Sequence, residues 1–190
     1  MADSASTPVT GGKRQEIIEQ AMRLFYDGGF HATGVDLVMA GTGISKRTLY
    51  KYFPSKEHLI EAVLDHYASL ADQAVLCPAE LHADPRGRIV ALFDIRRDMM
   101  NKDNCLGCLA MKAAQEYKGK HRGIETMGKR SSMLFEDRLV RWCTEGGLRS
   151  PPETARQIAL IFQGAVLTSQ MRGDTDVFED AKTLVLKLLD

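Results

Sequence analysis

Between Gly43 and Lys56 the chain carries four cations, Lys46, Arg47, Lys51 and Lys56, together with Ser45, Thr48, Tyr50 and Tyr52, and no acid. Cations and hydroxyls on one short segment are groups that donate to phosphate oxygens and to base edges in a DNA groove, Arg and Lys to guanine in particular. The net charge of the chain is zero, so any attraction for a polyanion has to be local, and this acid-free stretch supplies it. Charge alone would equally describe a solvated surface. The question is therefore whether the segment is built to present those groups.

Enzyme chemistry is not written in the chain. There is no GxSxG, HExxH, P-loop or Gly-rich dinucleotide fingerprint, and His31, His58, His66, His82 and His121 stand at no recognisable spacing from a carboxylate or serine. Cys105 and Cys108 form a C-x-x-C pair near the start of an expected helix, where a thiol pKa falls and oxidation becomes easier. A zinc site would need two further ligands, and Cys77, Cys143, His82 and His121 are scattered. A thioredoxin-like role would need a βαβ context that is missing. Packing is the first reading of this pair, thiol sensing the second and metal binding the third.

The elements that must position the basic segment are helical. The 190 residues, 44% hydrophobic and 26% charged, are ordinary for a globular protein, and no apolar run approaches the roughly 18 residues of a membrane helix. Residues 1–12 read as a disordered arm without signal-peptide character, and four cysteines suit a reducing compartment, so a cytoplasmic protein is expected. Ile17, Ile18, Ala21, Leu24 and Phe25 recur on one helical face, which Gly28 and Gly29 end. Thr33 and Asp36 have capping-box spacing for a short second helix, broken by Gly41 and Gly43. In a third helix Ser45 is placed to accept the N–H of Thr48, Ile44 and Leu49 stand as a hydrophobic staple, Leu49 and Phe53 face inward, and Pro54 stops the helix. Ser55 caps a fourth helix with Leu59, Ile60, Val63, Leu64 and Tyr67 on its apolar side. Pro78 and Pro85 bracket an expected loop, and helices follow near 86–101, 105–117, 124–145, 151–171 and 175–189, the fourth of these opened by a capping box from Ser150 to Glu153. The fold class is all-α: a tri-helical helix-turn-helix domain over 13–58 and a larger helical domain over 59–190.

The run TGVDLVMAGTGISKRTLYKYFPSKEHL, from Thr33 to Leu59, resembles the N-terminal domain of the TetR family of one-component regulators, over about residues 13–67. The string Leu49-Tyr50-x-x-Phe53-x-x-Lys56-Glu57-x-Leu59 is its most specific part. Two positions depart from the family pattern: Arg47 where a glycine is common, and Tyr52 where a histidine is common. The resemblance implies that Thr33 binds a phosphate through its hydroxyl and N–H, that Tyr50 and Tyr52 meet phosphate or thymine methyls, and that Lys56 binds phosphate at a helix start. Lys46, Arg47 and Thr48 are the base-reading candidates, with Ser45 and Lys51 completing the expected DNA-binding set.

The resemblance also implies a two-fold dimer built from the last two helices. The apolar stripes expected to form its interface are Ile158, Phe162, Ala165 and Val166, then Phe178, Ala181, Val185 and Leu188. They could equally close the monomer's own core. The middle helices of the family enclose a small-molecule pocket, for which the candidate linings are Phe93, Met99, Met100, Met111, Gln115, Tyr117, Met133, Trp142, Phe162 and Gln163, with Met127 and Phe135 beside them. The expected partners are a palindromic operator in double-stranded DNA, a second copy of the chain and an unidentified small-molecule effector. No cofactor and no membrane are expected. The function expected is a ligand-released repressor; a thiol-responsive repressor using Cys105 and Cys108, or a helical interaction module without DNA binding, are the alternatives.

Overall fold

The computed structural model describes residues 12–103 and 106–190. The expected arm, up to residue 11, and Cys105 lie outside the described residues. Every regular element among the described residues is helical, in two compact units that part at Val63 and Leu64.

In the first unit α1 (Lys13–Gly28) buries Ile17, Ile18, Ala21 and Phe25, spaced three and four apart so that they share one face. Phe30 stacks on Phe25 with ring centroids 4.8 Å apart and closes the turn beneath it. α2 (Val35–Thr42) starts from Gly34 with no side-chain cap. The expected capping box does not form, because the Thr33 hydroxyl points back and donates to the Leu24 carbonyl at 3.1 Å. Gly43 ends α2 in the left-handed region, φ 64°, with its N–H on the Met39 carbonyl, a conformation that glycine adopts without a Cβ clash. α3 (Lys46–Tyr52) and α4 (Lys56–Ala71) follow.

The second unit takes up the rest of α4 and runs on as a π-helical turn, Asp72–Leu76, into α5 (Cys77–Glu80). The loop expected from Pro78 is thus mostly helix. Pro78 is the second residue of α5, directly after the π-turn. α6 (Pro85–Lys102) opens under Asp84, whose carboxylate accepts the N–H groups of Arg86 and Gly87. α7 (Leu109–Glu116) begins four residues later than its pattern suggests, and α8 (Arg122–Glu145), α9 (Pro151–Arg172) and α10 (Val177–Leu189) complete the unit. Pro151 opens α9, but Ser150 makes no side-chain cap there. Its backbone is left-handed, φ 71°, which turns the hydroxyl away from the first-turn N–H groups.

α8 packs between α7 and α9, and α10 closes on α9 and α6. Phe93, Leu139, Trp142, Ile158, Phe178 and Val185 are fully enclosed where these helices meet. α7 and α8 approach so closely at Gly128 that a Cβ there would stand 2.6 Å from the Ala114 Cβ and 2.8 Å from the Ala110 carbonyl oxygen. Backbone cannot yield as a flexible side chain would, so Gly128→Ala should destabilise the second unit by about 1–3 kcal/mol. Urea unfolding of the variant checks this, and an unchanged midpoint would mean that the two helices can part freely.

Candidate nucleic-acid interface and effector cavity

α3 is seven residues long and gains little from its own hydrogen bonds. Its register comes from the flanks. The Ser45 hydroxyl accepts the Thr48 N–H at 3.2 Å and lies 2.9 Å from the Thr48 hydroxyl, while Leu49 is buried completely and Phe53 almost so. Arg14 of α1 lies over the Phe53 ring at 5.2 Å, a cation–π contact that the sequence pattern did not reveal. With that face fixed, Lys46, Arg47, Tyr50, Lys51 and Tyr52 are exposed and Thr48 half-exposed. Lys46 lies 3.9 Å from Asp36 on α2, with both side chains more than half exposed, so water screens the pair and it holds Lys46 only weakly.

Two expected DNA contacts sit differently. Thr33 is buried, with its hydroxyl on the Leu24 carbonyl and its N–H on the Gly29 carbonyl at 3.3 Å. Both groups expected to meet a phosphate thus hold the turn between α1 and α2. Lys56 donates to the His31 carbonyl at 3.3 Å from the first turn of α4, where the Ser55 hydroxyl accepts the N–H of His58.

The second unit contains a cavity of about 530 Å³, within the range of small-molecule sites. Its walls come from the end of α4 and the π-turn (Tyr67, Ala71, Val75), from α7 (Met111), from α8 (Phe135) and from α9 (Phe162, Gln163, Val166). Of the ten expected lining residues only Met111, Phe162 and Gln163 are among them. Phe93, Met100, Tyr117 and Trp142 are buried in the packed interior, Met99 packs half-buried against that core, Gln115 is exposed, and Met133 is 66% exposed. What the pattern missed is that small residues make the space: Ala68, Ala71, Ala110, Gly128 and Ser131 all border it. Arg138 bridges Asp72 at 3.0 Å and Glu80 at 3.1 Å, and Arg141 also pairs with Glu80. Gln163 reaches the Ser132 hydroxyl at 3.2 Å across the α8–α9 wall.

The expected dimer stripes are occupied within one chain. Ile158, Ala165, Val166, Phe178, Ala181 and Val185 are buried in the unit's own core, and Phe162 and Leu188 are half-buried against it. The exposed apolar residues of α9 lie on another face: Leu160, Leu167 and Met171 are 73%, 45% and 79% exposed, with Gly164 open between them.

Cys108 borders the cavity, and its expected partner Cys105 is outside the described residues. Cys143 is buried, and desolvation pushes its thiol up to about 11, which keeps it protonated and inert near neutrality. Cys77 is exposed and donates to Asp72, whose carboxylate raises the thiol pKa. Among the described residues no three His, Cys, Asp or Glu side chains converge as a metal site would require, and no helix is long and apolar enough to cross a membrane.

Comparison with known proteins points the same way as the geometry. Residues 17–63 match the family of bacterial regulatory proteins, tetR family. The transcriptional activator FasR of Mycolicibacterium smegmatis is 30% identical over 92 residues, 48% of this chain and 42% of that protein. The transcriptional repressor ComR of Escherichia coli is 33% identical over 99 residues, 50% of this chain and 46% of that protein. The chain thus spans under half the length of these two relatives. In fold, SCO4454, a TetR-family regulator from Streptomyces coelicolor, superposes with a TM-score of 0.85 over 93% of this chain and 94% of that one, at 22% identity.

The anchoring of α3 makes a graded prediction. Leu49→Ala should destabilise the first unit by about 2–5 kcal/mol, and Ser45→Ala by about 1 kcal/mol. Thermal unfolding of the two variants checks the order, and a larger loss from Ser45→Ala would mean that the cap rather than the buried face holds the helix.

Proposed function

We propose that this chain, which belongs to the TetR family of transcriptional regulators, acts as a two-fold dimer that holds a palindromic operator through α3 and releases it when a small molecule fills the cavity of its second unit. The observation that carries the reading is the exposed face of Lys46, Arg47, Tyr50, Lys51 and Tyr52, its cations met among the described residues only by a weak, solvent-screened approach of Asp36 to Lys46, over a buried Leu49 and Phe53, inside the segment that matches the family. An interaction module that had lost DNA would have no need of that cap, that anchor and that charge together. Lys46, Arg47 and Thr48 read bases, while Tyr50, Tyr52, Lys51 and Lys56 hold the backbone. Two of the matched relatives are an activator and a repressor by name. Repression is favoured here because occlusion requires only occupancy of the site.

Operator half-sites lie about 34 Å apart and need two recognition helices. A second copy meets the exposed stripe of α9. Leu160, Gly164, Leu167 and Met171 follow one another at i, i+4, i+7 and i+11, a row of the kind that packs helix against helix. Release follows from differential affinity: an effector that binds better to a dimer with another spacing of its α3 helices draws the population off DNA. α4 is the transmitter, because Lys56 begins it and Tyr67 and Ala71, near its end, border the cavity.

Replacing Lys46, Arg47 and Lys51 together by Ala should abolish specific binding and lower the dependence of log K on log salt by about one unit for each phosphate no longer neutralised. Operator fragments recovered by genomic selection and titrated with salt provide the measurement; an unchanged slope and affinity would sink the assignment. Leu160→Glu with Leu167→Glu should leave a folded monomer by sedimentation equilibrium and remove tight operator binding. A dimer that survives both changes would place its interface elsewhere.

A further inference from the structure

We propose that the ligand of the cavity is an apolar acid, its anionic head held by Arg96 and its body by the surrounding hydrophobic walls, an inference that rests on reading this cavity as the effector site. The walls are largely aliphatic and aromatic, with Val75, Leu76, Met111, Phe135, Phe162 and Val166 among them, so the bulk of any occupant is apolar. Its polarity is decided by charges that the protein leaves unanswered.

Three arginines border the space, and they are not equivalent. Arg138 is held by the carboxylates of Asp72 and Glu80, and Arg141 by that of Glu80. Arg96 is half-buried, and among the described residues no carboxylate lies within ion-pair distance of it. One of its terminal nitrogens donates to the carbonyls of Leu106 and Gly107 at 2.9 and 3.3 Å. Neutral carbonyls hold the guanidinium still but do not cancel its charge. A cation beside apolar walls, with a planar fork of donors not all engaged, suits a carboxylate, which Arg receives through paired hydrogen bonds. Because the carbonyls already fix the head, little side-chain entropy is lost when the ligand arrives. Asp137 also borders the cavity, but it is exposed, so water screens its charge and it does not set the preference of the interior.

Calorimetric titration of the full-length chain with matched probes tests this. The aromatic set is 2-naphthoate, naphthalene-2-methanol and 2-naphthylmethylammonium; decanoate and decanol, kept below aggregation, form the aliphatic pair. In the wild-type chain at least one acid binds about tenfold or more tightly than its alcohol, and the ammonium binds weakest. Which acid wins separates an aromatic from an aliphatic source. Arg96→Met removes the advantage of the acid while sparing the alcohol, and Arg96→Lys keeps much of it. Equal affinity of acid and alcohol, tighter binding of the ammonium, or an acid preference that survives in Arg96→Met would each overturn the proposal and leave the effector site standing. Saturable binding by none of the five probes would overturn the effector-site reading, and this proposal with it. Should Arg96→Met not fold, the wild-type series and Arg96→Lys decide between the same outcomes.

Discussion

A helix of seven residues does not persist in water by its own hydrogen bonds, and the use of the first unit depends on how α3 escapes that limit. Leu49 and Phe53 bury one side of it in the interior of the first unit, the Ser45 hydroxyl satisfies an otherwise unpaired N–H, and Arg14 lies over the outer ring of the anchor. Burial of two large side chains contributes several kcal/mol, more than the cap or the cation–π contact. The exposed cations therefore have no structural duty. Lys46, Arg47 and Lys51 are exposed on a scaffold anchored by other residues, which under the proposed function is the condition for changing what α3 would read while keeping the fold.

The second unit solves an opposite problem, keeping a space open inside a close-packed assembly. α8 shows how. Its residues Leu139, Trp142 and Cys143 turn into the solid core, while Ser131, Phe135 and Arg138, at i, i+4 and i+7, turn to the cavity. One helix thus serves two interiors from two faces, and helical phase alone decides which residue belongs to which. Small residues, Ala71 and Ala110 among them, border the space, while Gly128 lets α8 close tightly on α7 at its edge, with no room there even for a methyl group.

This explains what could be read from the sequence. α3 was legible because its determinants are local: a cap, the N–H it accepts from three residues on, two anchors four apart and a proline stop. The boundaries of α1, α6, α8 and α9 were close for the same reason. The cavity was not legible, since large apolar residues mark an interior without saying whether it is filled, and alanine, serine and glycine carry no signal of their own. Trp142 and Met100 were expected at a pocket and lie in the core. The stripes of α9 and α10 fit a partner surface and the chain's own core equally well in sequence, because an apolar face does not name what covers it, and they bury against their own neighbours. Thr33 and Ser150 had the right side chains for caps, but a carbonyl nine residues back and a left-handed backbone diverted them. The π-turn at Asp72–Leu76 is defined by an i→i+5 bond that no residue type announces.

The cavity has two unlike walls. On one, Asp72 of the π-turn and Glu80 of α5 are tied to α8 through Arg138 and Arg141. Each pair is partly solvated and worth little alone, yet one arginine shared between two carboxylates fixes several backbone segments at once. On the other side, Arg96 holds the segment before α7 by hydrogen bonds to two carbonyls, contacts that do not neutralise it. An ion-paired wall has its electrostatic demands met within the protein and offers an occupant mostly shape. A wall whose cation is matched only by dipoles keeps a preference for charge. On the proposed reading of this cavity as an effector site, the difference between the two sides, more than the volume they enclose, would set which molecules of similar size its largely hydrophobic walls accept.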